Sequence, residues 1–217
     1  MRLRQLLENL ENRPYLFQTR MGIETWLKKH AIKNYIINDD LSVDVNGDVD
    51  LVGINLKTIS IQFGKVGGNF SCSYNELTSL EGAPREVGVN FDCSRNQLTS
   101  LEGAPREIGV DFYCIENQLE SLNGAPREVG GAFDCSFNEL KSLKGAPREV
   151  GGYFDCSFNQ LKSLEHCPKD VGGFFDCSEN QLTTLKFIPK FVGEFIFDNN
   201  PDLTEDEIDD ALSKLNL

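Results

Sequence analysis

Apolar side chains recur along this chain with a period far longer than that of a helix or a strand. Phe stands at Phe70, Phe91, Phe112, Phe133, Phe154 and Phe175, each step being 21 residues. Cys follows two residues later at Cys72, Cys93, Cys114, Cys135, Cys156 and Cys177, and a pair of Leu residues closes the apolar pattern, from Leu77 and Leu80 to Leu182 and Leu185. One polar position is kept as strictly, with Asn at Asn75, Asn96, Asn117, Asn138, Asn159 and Asn180. Each unit then runs through Pro (Pro84, Pro105, Pro126, Pro147, Pro168, Pro189), a Val or Ile, and Gly. The alternation Phe-x-Cys predicts a short strand with Phe and Cys facing a core and their neighbours facing out. Repeated at a fixed period, such units predict a stack of rungs that bury a continuous core between them.

The pattern extends beyond the six regular units. One period before Phe70 stand Val49, Leu51, Leu56, Ile59, Phe63 and Val66, with Ile54 in the Asn place, a degenerate first rung. After the last regular unit, Phe195 to Leu203 forms a shortened final rung around Asn200. About eight rungs at a strand spacing of ~4.8 Å give a sheet roughly 35 Å along the stack.

The ends change period. Leu3, Leu6, Leu7 and Leu10 predict an amphipathic helix over 2–11, broken at Pro14, and Ile23, Trp26, Leu27 and Ala31 predict a second over 22–31. Residues 34–51 read as a hairpin around Asn46-Gly47, with Val43 opposite Val49, Leu41 opposite Leu51 and Gly47 in the left-handed position, which would blunt the open sheet edge. The acids of Asp44 to Asp50 lack the Gly and Glu placement of an EF-hand loop. A last helix is predicted from Thr204, with Thr204 and Glu207 at capping-box spacing and Ile208, Leu212 and Leu215 on its apolar face.

Read as F-x-C-x-x-N-x-L-x-x-L, the unit resembles the leucine-rich repeat over about 49–203. Its short period is similar to that of the bacterial subtype found in secreted effectors, and its wording, N-x-L-x-S-L-x-G-A-P-x-x-V-G-G, is similar to repeat proteins carried by large tailed phages. The resemblance implies an α/β solenoid with short parallel strands on the concave face and an Asn ladder that satisfies backbone groups at the bend after each strand. Capping segments at 1–48 and 204–217 would flank the solenoid at 49–203. Gly before each strand is expected to supply a positive φ, and Pro to fix an extended segment on an irregular or 3₁₀ convex side.

Charge and chemistry refine this picture. The 217 residues carry a net charge of −13, divided between +4 over 1–33 and −17 over 34–217. That balance disfavours nucleic acid as a direct partner. No run of eighteen apolar residues is present, and the first ten residues are too polar for a signal-peptide core, so a cytoplasmic location is expected, in a bacterium or an infected host. Six of the seven cysteines share one inward column and are expected as small buried hydrophobes; the seventh, Cys167, takes the place of an Ala. No Ser-His-Asp, metal-ligand or phosphate-loop constellation appears, so no enzyme activity, metal or cofactor is expected.

The outward strand positions stack into columns. One holds Ser71, Asp92, Tyr113, Asp134, Asp155 and Asp176, and aromatic residues gather beside it at Phe137, Phe158, Tyr153 and Phe174. Like charges stacked at strand spacing repel, and a fold does not require them, so the column points to a cationic partner. Asp92, Tyr113, Asp134, Asp155 and Asp176 with Phe137, Phe158, Tyr153 and Phe174 form the candidate partner-binding set. The expectation is a non-enzymatic protein-binding module whose partner has a basic or mixed surface, and the phage resemblance implies an inhibitor of a host defence protein. The alternatives are a structural or adhesive self-assembling component, which would form a homo-oligomer, and a nucleic-acid mimic that binds a basic protein. On the opposite side, Arg85, Arg106, Arg127, Arg148, Lys169 and Lys190 beside Glu86, Glu107, Glu128, Glu149 and Asp170 are expected as a lattice of exposed ion pairs.

Overall fold

A computed structural model describes residue 17, residues 19–190 and residues 192–215, except the side chains of 212, 214 and 215. The helix expected over 2–11 lies outside the described residues. The chain is a parallel-strand β-solenoid of about seven turns. Among the described residues, no helix is long and apolar enough to cross a membrane.

One side of the solenoid carries a first ladder of eight strands: Val49–Asp50, Phe70–Ser71, Phe91–Asp92, Phe112–Tyr113, Phe133–Asp134, Phe154–Asp155, Phe174–Asp176 and Glu194–Ile196. Strands pair in parallel with Phe beside Phe, as in Phe133 with Phe112 and Phe154. The rings form one file from Phe63 to Phe195, with centroids 5.0 to 5.7 Å apart. Each regular-unit ring is fully buried, which stabilises the chain by about 2–3 kcal/mol per ring. The Cys column is also buried, and thiols such as Cys135 donate to the next rung's carbonyl at Asp155 (3.2 Å).

The buried Asn column ties each rung to the one before it. Asn138 Nδ2 donates to the carbonyls of Cys135 (3.1 Å) and Ser136 (3.2 Å) on its own rung and of Cys114 (3.0 Å) on the preceding one. Its Oδ1 accepts from the Leu119 amide at 3.1 Å. The same set recurs at Asn75 and at Asn200. Ile54 stands in the Asn place on the first rung, where Asn75 of the next rung accepts from the Leu56 amide and donates to the Leu51 carbonyl.

The far side departs from the irregular or 3₁₀ expectation. It carries a second parallel ladder, built from Val43–Val45, Phe63–Val66, Glu86–Val87 and Glu107–Ile108, then from Glu128–Val129, Glu149–Val150 and Asp170–Val171. The extended backbone that follows each Pro stacks on its own copy, so its N–H and C=O groups pair directly, as in Lys169 N–H to Arg148 C=O at 2.9 Å.

The Gly that precedes each strand was expected to take a positive φ; Gly47, before Val49–Asp50, does so at 137°, but the corner glycines of the later rungs do not. Apart from Gly47 and Gly53, the positive-φ glycines among the described residues are those before Ala-Pro: Gly82, Gly103, Gly124 and Gly145, at 91 to 96°. Glycine at the corner is required by space. A Cβ on Gly109 would lie 1.9 Å from the Gly88 carbonyl oxygen, and one on Gly151 2.1 Å from that of Gly130.

The hairpin is also shifted from its expected place. Tyr35–Ile37 pairs antiparallel with Val43–Val45, setting Ile37 against Val43, and the turn lies at Asn38 to Ser42. Val43–Val45 then pairs in parallel with Phe63–Val66, while Val49–Asp50 joins the first ladder. Asn46-Gly47 is thus a solenoid corner, and Val43, Val45, Val49 and Leu51 are all buried because two ladders face one core. The strand that covers the sheet edge is Tyr35–Ile37.

Helix α1, Arg20–Lys29, begins at Thr19, whose Oγ1 accepts from the Gly22 amide. It buries Ile23, Trp26 and Leu27, with Trp26 edge-on to Phe63 at 6.1 Å. The helix ends before Ala31, which takes φ 56° with Ala31 N–H to Lys28 C=O and Ile32 N–H to Leu27 C=O, a Schellman stop. Helix α2, Glu205–Leu215, starts at Thr204, whose Oγ1 accepts from the Glu207 amide. The Glu207 carboxylate does not close the capping box but accepts from Thr184 Oγ1 at 2.9 Å.

Corner crowding is uneven, and that makes it testable. The second ladder is interrupted between Ile108 and Glu128, and there a Cβ on Gly130 would have 3.0 Å to the Gly109 carbonyl oxygen. Gly109→Ala should cost about 3 kcal/mol and Gly130→Ala less than about 1 kcal/mol in urea unfolding. Equal costs would show that the corner is not limited by rung contact.

Candidate functional site

The aspartate column has a local job that sequence reasoning missed. Oδ1 of Asp92 accepts from the Ser94 amide (2.9 Å), Asp155 from Ser157 (2.9 Å) and Asp176 from Ser178 (2.8 Å). Asp134 accepts from both the amide (3.0 Å) and hydroxyl (2.6 Å) of Ser136, and Asp50 repeats the turn with Val52. Each carboxylate thus closes a turn two residues on, which fixes its direction. Where Tyr113 replaces Asp, the Ile115 amide turns to Ser94 Oγ on the preceding rung.

Aromatic and acidic side chains meet at rungs four to seven. In the column just before each Phe, Ala132 is small and buried. On its two sides, Tyr113 donates to Asp111 Oδ2 at 2.9 Å, and the phenols of Tyr113 and Tyr153 interact. Tyr153 also stacks on Phe174, with centroids 4.5 Å apart and planes 6° from parallel. The Asp134 residue is only 8% exposed, and burial raises its carboxyl above the ordinary range. Burial, reinforced by the charge of Asp134, pushes Asp155 up to about 6. Burial and the hydrogen bond to Asp111 raise the Tyr113 phenol.

Phe137 and Phe158 stand one bend beyond the aspartates, stacked at 4.2 Å and 8° from parallel, yet 50% and 44% exposed. Their backbones are left-handed, with φ 55° and 52°. The whole column shares this conformation: Tyr74, Arg95, Glu116 and Glu179 lie between 52 and 56°. Gly53 and Asn199, ordinary residues for such a position, occupy it on the end rungs. Those two residues were the signal in the sequence that a left-handed turn recurs there. The column also forms a chain of side-chain contacts. Arg95 lies over the Tyr74 ring at 4.6 Å and pairs with Glu116 at 2.6 Å, and Asn199 Nδ2 donates to Glu179 at 2.7 Å. A bulky residue in this conformation costs about 1–2 kcal/mol, and exposure leaves most of that uncompensated by burial.

The structure therefore brings together Tyr113, Asp134, Asp155, Asp176, Tyr153 and Phe174. It places Phe137 and Phe158 at the bend beyond Asp134 and Asp155, and leaves Asp92 two rungs before Asp134 in the first ladder. On the second ladder, a depression of about 790 Å³ runs from Arg106 to Gly172. Both signs of charge line it, and none of the first-ladder aspartates does. Of the expected lattice of ion pairs on this ladder, Arg148 pairs with Glu149, whereas Glu86 pairs with Lys65 and Arg85 with Asp40. Asp44 and Asp48, in the acidic stretch beside Gly47, accept from the amides of Lys65 and Asn69 on the next rung. Among the described residues, no group of His, Cys, Asp and Glu could hold a metal ion. All seven cysteines are free thiols, and burial pushes Cys167 up to about 12.

The raised carboxyl makes stability depend on pH with a definite sign. Asp155 holds its proton more tightly folded than unfolded, so folding takes up a proton between the ordinary carboxylate range and about 6. Its charge destabilises the fold above pH 6, and the penalty is relieved as pH falls. Asp155→Asn keeps the oxygen that Ser157 uses. It should raise stability at pH 7.5 by about 1 kcal/mol, allowing for screening, and should flatten the rise in stability between about pH 6 and 4. Urea midpoints across that range give the measurement, and an unchanged slope would assign the dependence elsewhere.

Comparison with protein-family models, with curated proteins and with solved structures finds no significant match to this chain.

Proposed function

We propose that this chain is a non-enzymatic protein-binding module of the leucine-rich-repeat type, and that its first-ladder face receives another protein of basic or mixed surface. The repeat assignment is supported by the Phe, Cys and Leu columns and by the Asn ladder. In this reading α1 and the strand Tyr35–Ile37 close one end of the stack and α2 closes the other.

The observation that carries the binding role is the pair Phe137 and Phe158. They are stacked, half exposed and held in a backbone conformation that penalises aromatic residues. Folding gains little from them there, since Asn or Gly fits the bend better, as Asn199 and Gly53 show. Asp155 and Asp176 add a stripe of charge whose direction the serine amides set. Aromatic anchors beside fixed charges have the composition of a binding hot spot. The resemblance to phage repeat proteins makes a host protein the partner to seek, and blocking that protein the form the binding takes.

The left-handed column supplies a clean test. Phe137→Asn with Phe158→Asn removes the aromatic pair and installs a residue suited to the turn, so stability should change by less than about 1 kcal/mol. Capture of the partner from host lysate should fall at least about 30-fold, as for a hot-spot pair. Undiminished capture by a folded double variant would remove this face from the binding role.

A further inference from the structure

The face has the dimensions of a particular kind of occupant. Within one rung, Tyr153, Asp155 and Ser157 point outward from the strand, and Phe158 follows at the bend. Asp155 and the buried Ser157 form a floor, and the stacked pairs Tyr153–Phe174 and Phe137–Phe158 stand on its two sides. Five residues of chain, from Tyr153 to Phe158, separate the two sides by at most about 17 Å, and by less because Phe158 lies at the left-handed bend. An α-helix with its side chains is about 10–12 Å across.

The spacing along the stack agrees. Aspartates on successive rungs recur at about 4.8 Å, so Asp134, Asp155 and Asp176 stand at about 0, 4.8 and 9.6 Å. A helix laid along the stack presents residues i, i+4 and i+7 on one face at about 0, 6.0 and 10.5 Å. The mismatch stays near 1 Å, within the reach of a lysine stem. An extended segment presents same-face residues about every 6.8 Å and is some 4 Å out of step by the third.

We infer that the occupant of this face is a cationic amphipathic helix, lying along the solenoid, with Lys or Arg at i, i+4 and i+7 over the aspartates and apolar side chains against the two aromatic pairs. This rests on the reading of the chain as a protein-binding module and specifies the partner's form. Asp155 and Asp176 make the direct contacts, and Asp134, on the rung before them and 8% exposed, attracts the remaining cation from a greater distance. Asn and Ser hold the floor rigid through backbone bonds, so the face is organised before the helix arrives.

The test uses the full chain and a fluorescein-labelled 18-residue Ala, Leu and Lys peptide with Lys at i, i+4, i+7 and i+11. Two controls have the same charge: a sequence scrambled to destroy the spacing, and one interrupted by a central Pro. The spaced peptide should bind at least tenfold more tightly than either control in fluorescence anisotropy and should gain helical circular dichroism on binding. Asp155→Asn and Phe158→Asn should each weaken it at least tenfold. Equal binding of the Pro-interrupted peptide would overturn the inference in favour of an extended cationic segment. Binding indifferent to both variants would overturn it in favour of diffuse attraction to the acidic body. A dimer in sedimentation that Phe158→Asn dissociates would assign the face to a second copy. If no peptide binds, the helix is overturned, while the capture experiment judges the binding module separately.

Discussion

Everything in this molecule depends on stacking a turn of chain on a copy of itself at the spacing set by backbone hydrogen bonds. The buried Asn enforces that spacing. Its amide satisfies carbonyls on two successive rungs and its oxygen takes an amide from the rung behind, so one side chain settles several backbone groups that would otherwise be buried unpaired. With that pitch fixed, Phe rings stack at about 5 Å, thiols reach the next carbonyl, and the Pro-led segment pairs with itself. The corners then come so close that a methyl group cannot fit between most of them.

The same repetition explains how a face can vary without loss of fold. Inward columns are constrained from both neighbours, whereas an outward side chain needs only to keep its own turn. Asp, Ser and Tyr all occupy the strand column, because the amide two residues on finds an acceptor in the first two cases and a neighbouring serine in the third. At the bend column the backbone demand is for a left-handed residue, and six rungs meet it with bulky or charged side chains. The energetic cost of that choice is what distinguishes Phe137 and Phe158 from ordinary exposed aromatics.

Much of the architecture was legible in the sequence, because an exact period leaves few alternatives. The inward Phe, Cys and Leu columns, the solenoid and the helices at Trp26 and after Thr204 follow from periodicity alone. The errors came where two structures share one local pattern. Val43-Asp44-Val45 and Val49-Asp50-Leu51 around Asn46-Gly47 look like a hairpin, but a corner between two ladders buries the same valines. Corner glycines look like positive-φ glycines, but their reason is a neighbouring rung that no single unit contains. The aspartate column looked free of structural duty because its partner amides lie two residues away in a turn that the sequence does not announce.

By itself, then, the sequence determined the period, the core columns and the acidic outward stripe, since each is a property of one unit repeated. Only the tertiary structure decided how close the corners come, which of the aspartates is buried, and that Tyr153 reaches past Ala132 toward Tyr113 while Phe137 and Phe158 stand stacked in the open. Those are relations between rungs. Their physical reason is that distance across the stack is set by hydrogen-bond spacing, whereas the sequence specifies only distance along the chain.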